Sequence, residues 1–233
     1  MSVAILTGAS RGLGRALAEA LAERGWSLVI DARGAAALAG VERSLEAKTK
    51  VVAVAGDIAD DAHRRALVTA AEELGGIDLL VNNASVLGPS PQPALRDYPL
   101  ETLEGVFRTN AIAPLALFQI AAASLARTSG RVVNITSDAA VEGYEGWGGY
   151  GSSKAALEQV SRVLAAEHPE LRVYWVDPGD MNTQMHQDAY PGEDISDRPA
   201  PEASVPGLIA IIEGDLPSGR YRTADLVGEE KSQ

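Results

Sequence analysis

Val3 to Leu6 is a short, wholly apolar run, and comparable runs recur at Leu28 to Ile30, Val51 to Ala55, Ile77 to Val81, Arg131 to Thr136 and Arg172 to Val176. The segments between them, among them Arg15 to Arg24, Pro114 to Ala126 and Gly149 to Glu167, carry apolar residues at helical spacing. Continuous apolar runs suit strands covered on both faces, and strand-helix alternation implies right-handed crossovers and a parallel sheet. The pattern predicts a doubly wound α/β fold of six strands with helices on both faces, and a seventh strand near Arg220 to Leu226.

Two segments interrupt this rhythm. Ser85 to Pro99 holds four of the twelve prolines, at 89, 91, 93 and 99, and reads as a rigid loop beyond the fourth strand. Asp180 to Pro206 mixes acids, prolines and a Met-His pair, and reads as an irregular substrate loop, about 180–206. Both follow strand C-termini, where ligands bind in such sheets. No repeat or linker divides the chain, so residues 1–233 are expected to form one domain.

Composition narrows the chemistry. Hydrophobic residues make up 46% of the chain, enough for a sizeable core. Twenty basic residues against 32 acidic ones leave a net charge of −12, which disfavours nucleic acid as a partner. The absence of cysteine excludes disulfides, thiol catalysis and thiolate metal sites, and His63, His168 and His186 are too scattered for a metal cluster. No apolar run approaches bilayer length, and a strand starting at Val3 leaves no room for a signal peptide. The expectation is a cytoplasmic protein with no metal, membrane or nucleic-acid partner.

Glycine supplies 23 of the 233 residues, above the roughly 7% norm, and its placement is more telling. Gly8, Gly12 and Gly14 fall between the first strand and first helix, where they permit a tight turn and bring backbone amides to a pyrophosphate at the helix N-terminus. A glycine triplet alone fits an ordinary left-handed turn equally well. Further motifs follow in order: Asp57-Ile58, Asn82-Asn83-Ala84-Ser85, Asn110, Ser137, Tyr150-Gly-Ser-Ser-Lys154 and Pro178-Gly179. With Thr7-Gly-Ala-Ser-Arg-Gly-Leu-Gly14 they resemble, over nearly the whole chain, the compact branch of the short-chain dehydrogenase/reductase family. That resemblance implies a Rossmann-type fold and hydride transfer between a nicotinamide and a carbonyl or secondary alcohol. Two departures stand out: Ser85 where the family commonly has glycine, and Met181 where it commonly has a β-branched residue.

Tyr150 and Lys154, four apart on a helix, share one face. A neighbouring ammonium favours a phenolate and would bring the tyrosine towards use as a general acid or base. The resemblance assigns Ser137 to holding the substrate oxygen and Asn110 to anchoring a water-mediated proton relay through Lys154. It likewise assigns Gly8, Ser10, Arg11, Gly12, Leu13 and Gly14 to the dinucleotide, Asp57 and Ile58 to the adenine, and Asn83 and Ala84 to the adenosine ribose. Pro178, Gly179 and Thr183 resemble the nicotinamide end, and Tyr150 and Lys154 also serve the nicotinamide ribose.

Asp31 lies where a general rule seeks an acid for the ribose 2′-hydroxyl. By the family's spacing that acid would stand at Ala32, which puts Asp31 on the opposite face of the strand. Arg33 and Arg11 could clamp a 2′-phosphate, so NADP(H) is favoured over NAD(H). Tyr144, Trp147 and Met185 are candidate substrate-pocket residues, and Asp138, Glu142 and Glu145 weigh against an anionic substrate. His186 reads as an exposed loop histidine without a catalytic role. The apolar 114–126 segment needs more cover than a sheet supplies, and with the family's habit of pairing such helices this implies a homodimer or homotetramer. The competing readings are a nucleotide-binding regulatory protein with little turnover, and an epimerase or dehydratase, which the roughly fifty residues after Pro178 are too few to build.

Overall fold

A computed structural model describes residues 2–227. Strand β1 (Val3–Leu6) leads through the glycine turn into α1 (Gly12–Glu23), and β2 (Ser27–Ala32) into α2 (Ala35–Leu45). Then come β3 (Val51–Ala55), α3 (Asp61–Leu74) and β4 (Leu79–Asn82). The proline-rich segment ends in α4 (Leu100–Phe107), which runs through a π turn at Arg108–Ile112 into α5 (Ala113–Thr128). After β5 (Arg131–Ile135) follow α6 (Gly148–Glu167), β6 (Arg172–Asp177), α7 (Gln184–Ala189), α8 (Val205–Glu213), β7 (Gly219–Arg222) and the short α9 (Thr223–Leu226). The strands form one parallel sheet in the order β3-β2-β1-β4-β5-β6-β7. The order reverses between β1 and β4, which opens the crevice at their C-terminal ends.

Alternation along β1 shows why the runs had to be apolar throughout. Ala4 and Leu6 pack on the face covered by α1, α2 and α8, while Val3 and Ile5 pack on the face covered by α3, α5 and α6. Three expectations need adjusting. The seventh strand ends at Arg222 and Thr223–Leu226 coils into a helical turn. The 180–206 segment is partly helical, with α7 capped by the Thr183 hydroxyl on the amide of His186. Finally, the continuous helix Leu100–Thr128 is long and apolar enough to cross a bilayer, contrary to the sequence reading that no apolar run approaches that length. Here it is a core helix: Leu117, Phe118, Ala121 and Leu125 are buried against the sheet.

The helix that carries the Tyr-x-x-x-Lys pair is fastened by polar groups as well as apolar ones. Asn82 Nδ2 donates to Asn134 Oδ1 at 2.8 Å, and Asn134 Nδ2 donates to Ser161 Oγ at 2.8 Å, all three residues being buried. This ladder ties β4 to β5 and β5 to α6. Replacing Asn134 with alanine strands the buried Asn82 amide, at a cost of about 1–3 kcal/mol, whereas Ser161 still donates to the Leu157 carbonyl at 2.7 Å. Urea unfolding of Asn134→Ala is expected to show a loss in that range with an unchanged m-value.

Candidate active site

Residues from the C-terminal ends of the central strands line a continuous cleft of about 1080 Å³. Small-molecule sites usually occupy about 300–1,000 Å³, so the cleft has room for a large ligand with a second beside it. At one end, Gly8 and Gly12 adopt φ of +69° and +55°, the left-handed region that favours glycine. A Cβ on Gly14 would collide with the Gly8 carbonyl and Asn83 Nδ2. Asn83 closes the turn by donating to the carbonyls of Thr7 (2.9 Å) and Gly8 (3.2 Å). Ser10, Leu13, Ala84, Asp57 and Ile58 complete this half of the cleft.

Asp31 is 2% exposed and committed elsewhere. One carboxylate oxygen accepts from the Gly8 amide at 2.7 Å and the other meets His63 Nε2 at 3.0 Å. It therefore braces the glycine turn from behind, a role the sequence did not disclose. Arg11 and Arg33 both line the cleft and are exposed, and neither forms an ion pair among the described residues. A cradle of tight glycines with two free guanidinium groups fits a phosphate-bearing dinucleotide.

At the other end, Tyr150 and Lys154 rise from the start of α6, with Lys154 Nζ 5.5 Å from the centre of the Tyr150 ring. Lys154 is 2% exposed, and its Nζ donates to the Ile135 carbonyl at 2.7 Å. Burial pulls its ammonium down to about 7. Burial also pushes the Tyr150 phenol well above its ordinary value; a hydrogen bond with Ser85 opposes the rise, and the Asp177 and Asp138 carboxylates add to it. The phenol depression expected from Lys154 is thus not what the chain's own groups produce, because both side chains lie out of water and Lys154 is itself reluctant to hold its charge.

Ser137, just past β5, donates to Asp138 Oδ1 at 3.0 Å and accepts from the Ala139 amide. Asn110 sits in the π turn and is 1% exposed; its partners are Ser85, Val86 and Ser153 rather than Lys154. Gly179, with φ of +77°, donates to Asp177 Oδ1, and the Pro178 carbonyl is held by Ser204 and Thr223. Thr183 reaches the cleft, although its oxygen already caps α7.

Tyr144, Trp147 and Met185 all line this end. Trp147 stacks edge-on to Tyr150 at 5.8 Å, and Tyr190, unforeseen in the sequence, lies 5.9 Å from Trp147. Tyr144 is 46% exposed and donates to Asp138 Oδ2 at 3.0 Å. His186 is not an exposed loop residue: its side chain is 10% exposed and packs 4.9 Å from the Tyr190 ring, because α7 folds it inward. Asp138, Asp177 and Asp180 border the cleft, whereas Glu142 and Glu145 do not.

Sequence reasoning also missed Glu158. Buried one turn beyond Lys154, it accepts from Thr136 at 3.0 Å, Arg220 at 2.9 Å and Arg162 at 2.9 Å. Arg220 also reaches the Ser137 carbonyl at 3.3 Å. The signal was available, since 150, 154 and 158 follow helical spacing on one face.

A family model described as short chain dehydrogenase matches residues 2–194. The chain belongs to the short-chain dehydrogenase/reductase family. It is 36% identical over 200 residues to sepiapterin reductase of Meriones unguiculatus, covering 80% of this chain and 76% of that one. It is 35% identical over 193 residues to the rhamnolipids biosynthesis 3-oxoacyl-[acyl-carrier-protein] reductase of Pseudomonas aeruginosa, covering 78% and 74%. Among solved structures, the alcohol dehydrogenase of the archaeon Thermococcus sibiricus complexed with 5-hydroxy-NADP superposes with a TM-score of 0.86 at 26% identity, covering 95% of each chain. This short-chain dehydrogenase/reductase is accordingly a nicotinamide-dependent oxidoreductase of small molecules.

Lys154 titrates lower in the folded chain than in the unfolded one, so its charge opposes folding. That penalty is complete below pH about 7 and fades as pH rises towards the ordinary lysine value of 10.5. Lys154→Met is therefore expected to gain Tm relative to the parent as pH falls from 10 to 6. A Tm difference independent of pH would contradict the buried, depressed lysine.

Proposed function

We propose that this chain, acting as one domain, is an NADP(H)-dependent carbonyl reductase or alcohol dehydrogenase for small to medium substrates. The observation that carries the reading is the meeting of the Tyr150 phenol, the Lys154 amine and the Ser137 hydroxyl in one cleft with the glycine cradle. A bound nicotinamide dinucleotide would supply or accept the hydride at the substrate carbon. Tyr150 gives the proton to the carbonyl oxygen in reduction and takes it back in oxidation. Ser137 holds that oxygen by turning its hydroxyl from Asp138 to the substrate. Lys154 favours the phenolate when charged, and Asn110 secures the loop beneath.

Arg33 and Arg11 hold the 2′-phosphate in this reading, with Gly8, Ser10, Gly12, Leu13 and Gly14 on the pyrophosphate and Asp57, Ile58, Asn83 and Ala84 around the adenosine. Pro178, Gly179 and Thr183 border the nicotinamide. The burial of Asp31 supports NADP(H), because its carboxylate is committed to Gly8 and His63. Tyr144, Trp147 and Met185 form an aromatic and thioether wall for the substrate, and the acids at 138, 177 and 180 favour neutral or cationic carbonyl compounds over anionic ones. Both relatives named above are reductases, which favours reduction as the working direction. Pairing of α5 and α6 about a two-fold axis would cover Ile112 and Val163, 57% and 43% exposed, in a homodimer or homotetramer. The lack of cysteine accords with a cytoplasmic setting.

A panel of ketones, aldehydes and alcohols followed at the nicotinamide absorbance band tests the reading. Tyr150→Phe is expected to bind cofactor as the parent does and to lose at least about 100-fold in kcat, the usual scale of general acid-base catalysis. If the parent binds cofactor but turns over nothing in the panel, a regulatory role replaces the enzymatic one. In parallel titrations, Arg33→Ala is expected to weaken NADP(H) binding roughly tenfold, a loss of about 1.4 kcal/mol, and to leave NAD(H) binding unchanged. Equal losses for both cofactors would remove Arg33 from the 2′-phosphate.

A further inference from the structure

Asp31 holds two consecutive amides of the glycine turn. Its side chain accepts from Gly8 at 2.7 Å, and its main-chain carbonyl accepts from Ala9 at 2.8 Å. The turn thus takes part of its shape from a carboxylate that itself borders the cleft. Such a carboxylate is a hazard, because a charge close enough to hold Gly8 is close enough to oppose a pyrophosphate. The contact at its other oxygen answers both needs. Among the described residues, Asp31 Oδ2 meets His63 Nε2 alone, at 3.0 Å. A carboxylate accepts at both oxygens, so the imidazole supplies the proton.

His63 is held in place to make that contact. It is the third residue of α3, whose start is capped by Asp60 accepting from the Ala62 amide at 3.0 Å. Its side chain is 6% exposed, and it packs so closely on Gly56 that a Cβ there would collide with the ring. The elements packed on α3 offer it no rival charge. β1 and β3 are apolar throughout, β2 carries Asp31 alone, and the one charged residue of α5, Arg127, is held by Glu72. Around the start of α3, Asp57 accepts from the Ala59 amide, Asp61 pairs with Arg65, and Arg64 donates to the Ile58 carbonyl at 2.7 Å.

We propose that His63 is a positioning residue for the dinucleotide. Its Nε2–H holds Asp31 Oδ2, which keeps Oδ1 on the Gly8 amide, preforms the turn and offsets part of the carboxylate charge beside the pyrophosphate. No proton is transferred, and the contribution is preorganisation. The proposal rests on the reading that the glycine turn binds the pyrophosphate. Because both nicotinamide dinucleotides carry that group, His63 serves NADP+ and NAD+ equally, unlike Arg33.

The test titrates the full chain with NADP+ and with NAD+ by calorimetry. His63→Leu, which keeps bulk and removes the donor, is expected to raise both Kd values about tenfold, the scale of one buried acceptor left unpaired. His63→Asn, too short to reach Asp31, serves if the leucine chain does not fold. His63→Gln, whose amide nitrogen can replace Nε2, should stay within about threefold of the parent. In an Asp31→Asn background, His63→Leu should shift Kd by less than about threefold, because no carboxylate remains to be held or offset. A merely structural histidine would lower Tm and leave Kd unchanged throughout. Unchanged Kd in His63→Leu, equal losses in the leucine and glutamine variants, a loss confined to NADP+, or the full loss in the Asp31→Asn background would each overturn the proposal. A parent that binds cofactor without turnover would sink the enzymatic reading alone, since these titrations need no substrate. A parent that binds neither dinucleotide would overturn the phosphate cradle and the role of His63 together.

Discussion

A helix that buries a tyrosine, a lysine, a glutamate and two serines against a parallel sheet cannot take its register from apolar packing alone. In α6 the register comes from directional bonds. Ser161 receives the side chain of Asn134, Glu158 gathers Thr136, Arg220 and Arg162, and Lys154 meets the carbonyl of Ile135. Each of these β5 partners lies on or just past the strand beside which Ser137 emerges. The same contacts that settle the helix therefore set the spacing between Tyr150 and Ser137, and Arg220 adds a direct hold on the Ser137 carbonyl. A slip along the helix would leave several buried polar groups unpaired at once, which makes the arrangement all or none.

The acidic surface and the site place opposite demands on the chain. A net charge of −12 opposes a polyanionic ligand at long range, so the local field near the glycine turn must be positive. Arg11 and Arg33, which line the cleft and form no ion pair among the described residues, and the N-terminus of α1 supply it. Asp31, a carboxylate directly beneath this anion site, is tolerated because both of its oxygens are saturated by Gly8 and His63.

Much of the framework was legible in the residues. The apolar runs gave the strands to within one or two residues, because a strand covered on both faces is apolar at nearly every position, with Asp31, Asn82 and Asn134 among the buried exceptions. The glycine turn, the Tyr150–Lys154 pair and the loops after β4 and β6 could be placed because each is local: a few residues with a fixed spacing and a backbone requirement. The alanine-rich helix through 113–128 was read as a shorter apolar segment, since Asn110 lies in a π turn that no simple periodicity announces.

What the sequence determined alone is the doubly wound topology, the position of the glycine turn and the pairing of Tyr150 with Lys154 on one helical face. These follow from short-range patterns: alternation of strand and helix, left-handed backbone at glycine, and residues four apart on one helical face. Only the tertiary structure decided how those side chains are tuned and what they are tied to. It tied the Asp31 carboxylate to Gly8 and His63, folded His186 and Tyr190 inward, and bound Asn110 to Val86. Those outcomes depend on burial and on partners 23 to 43 residues distant in sequence, between elements that meet only when the sheet closes, and no local pattern encodes them.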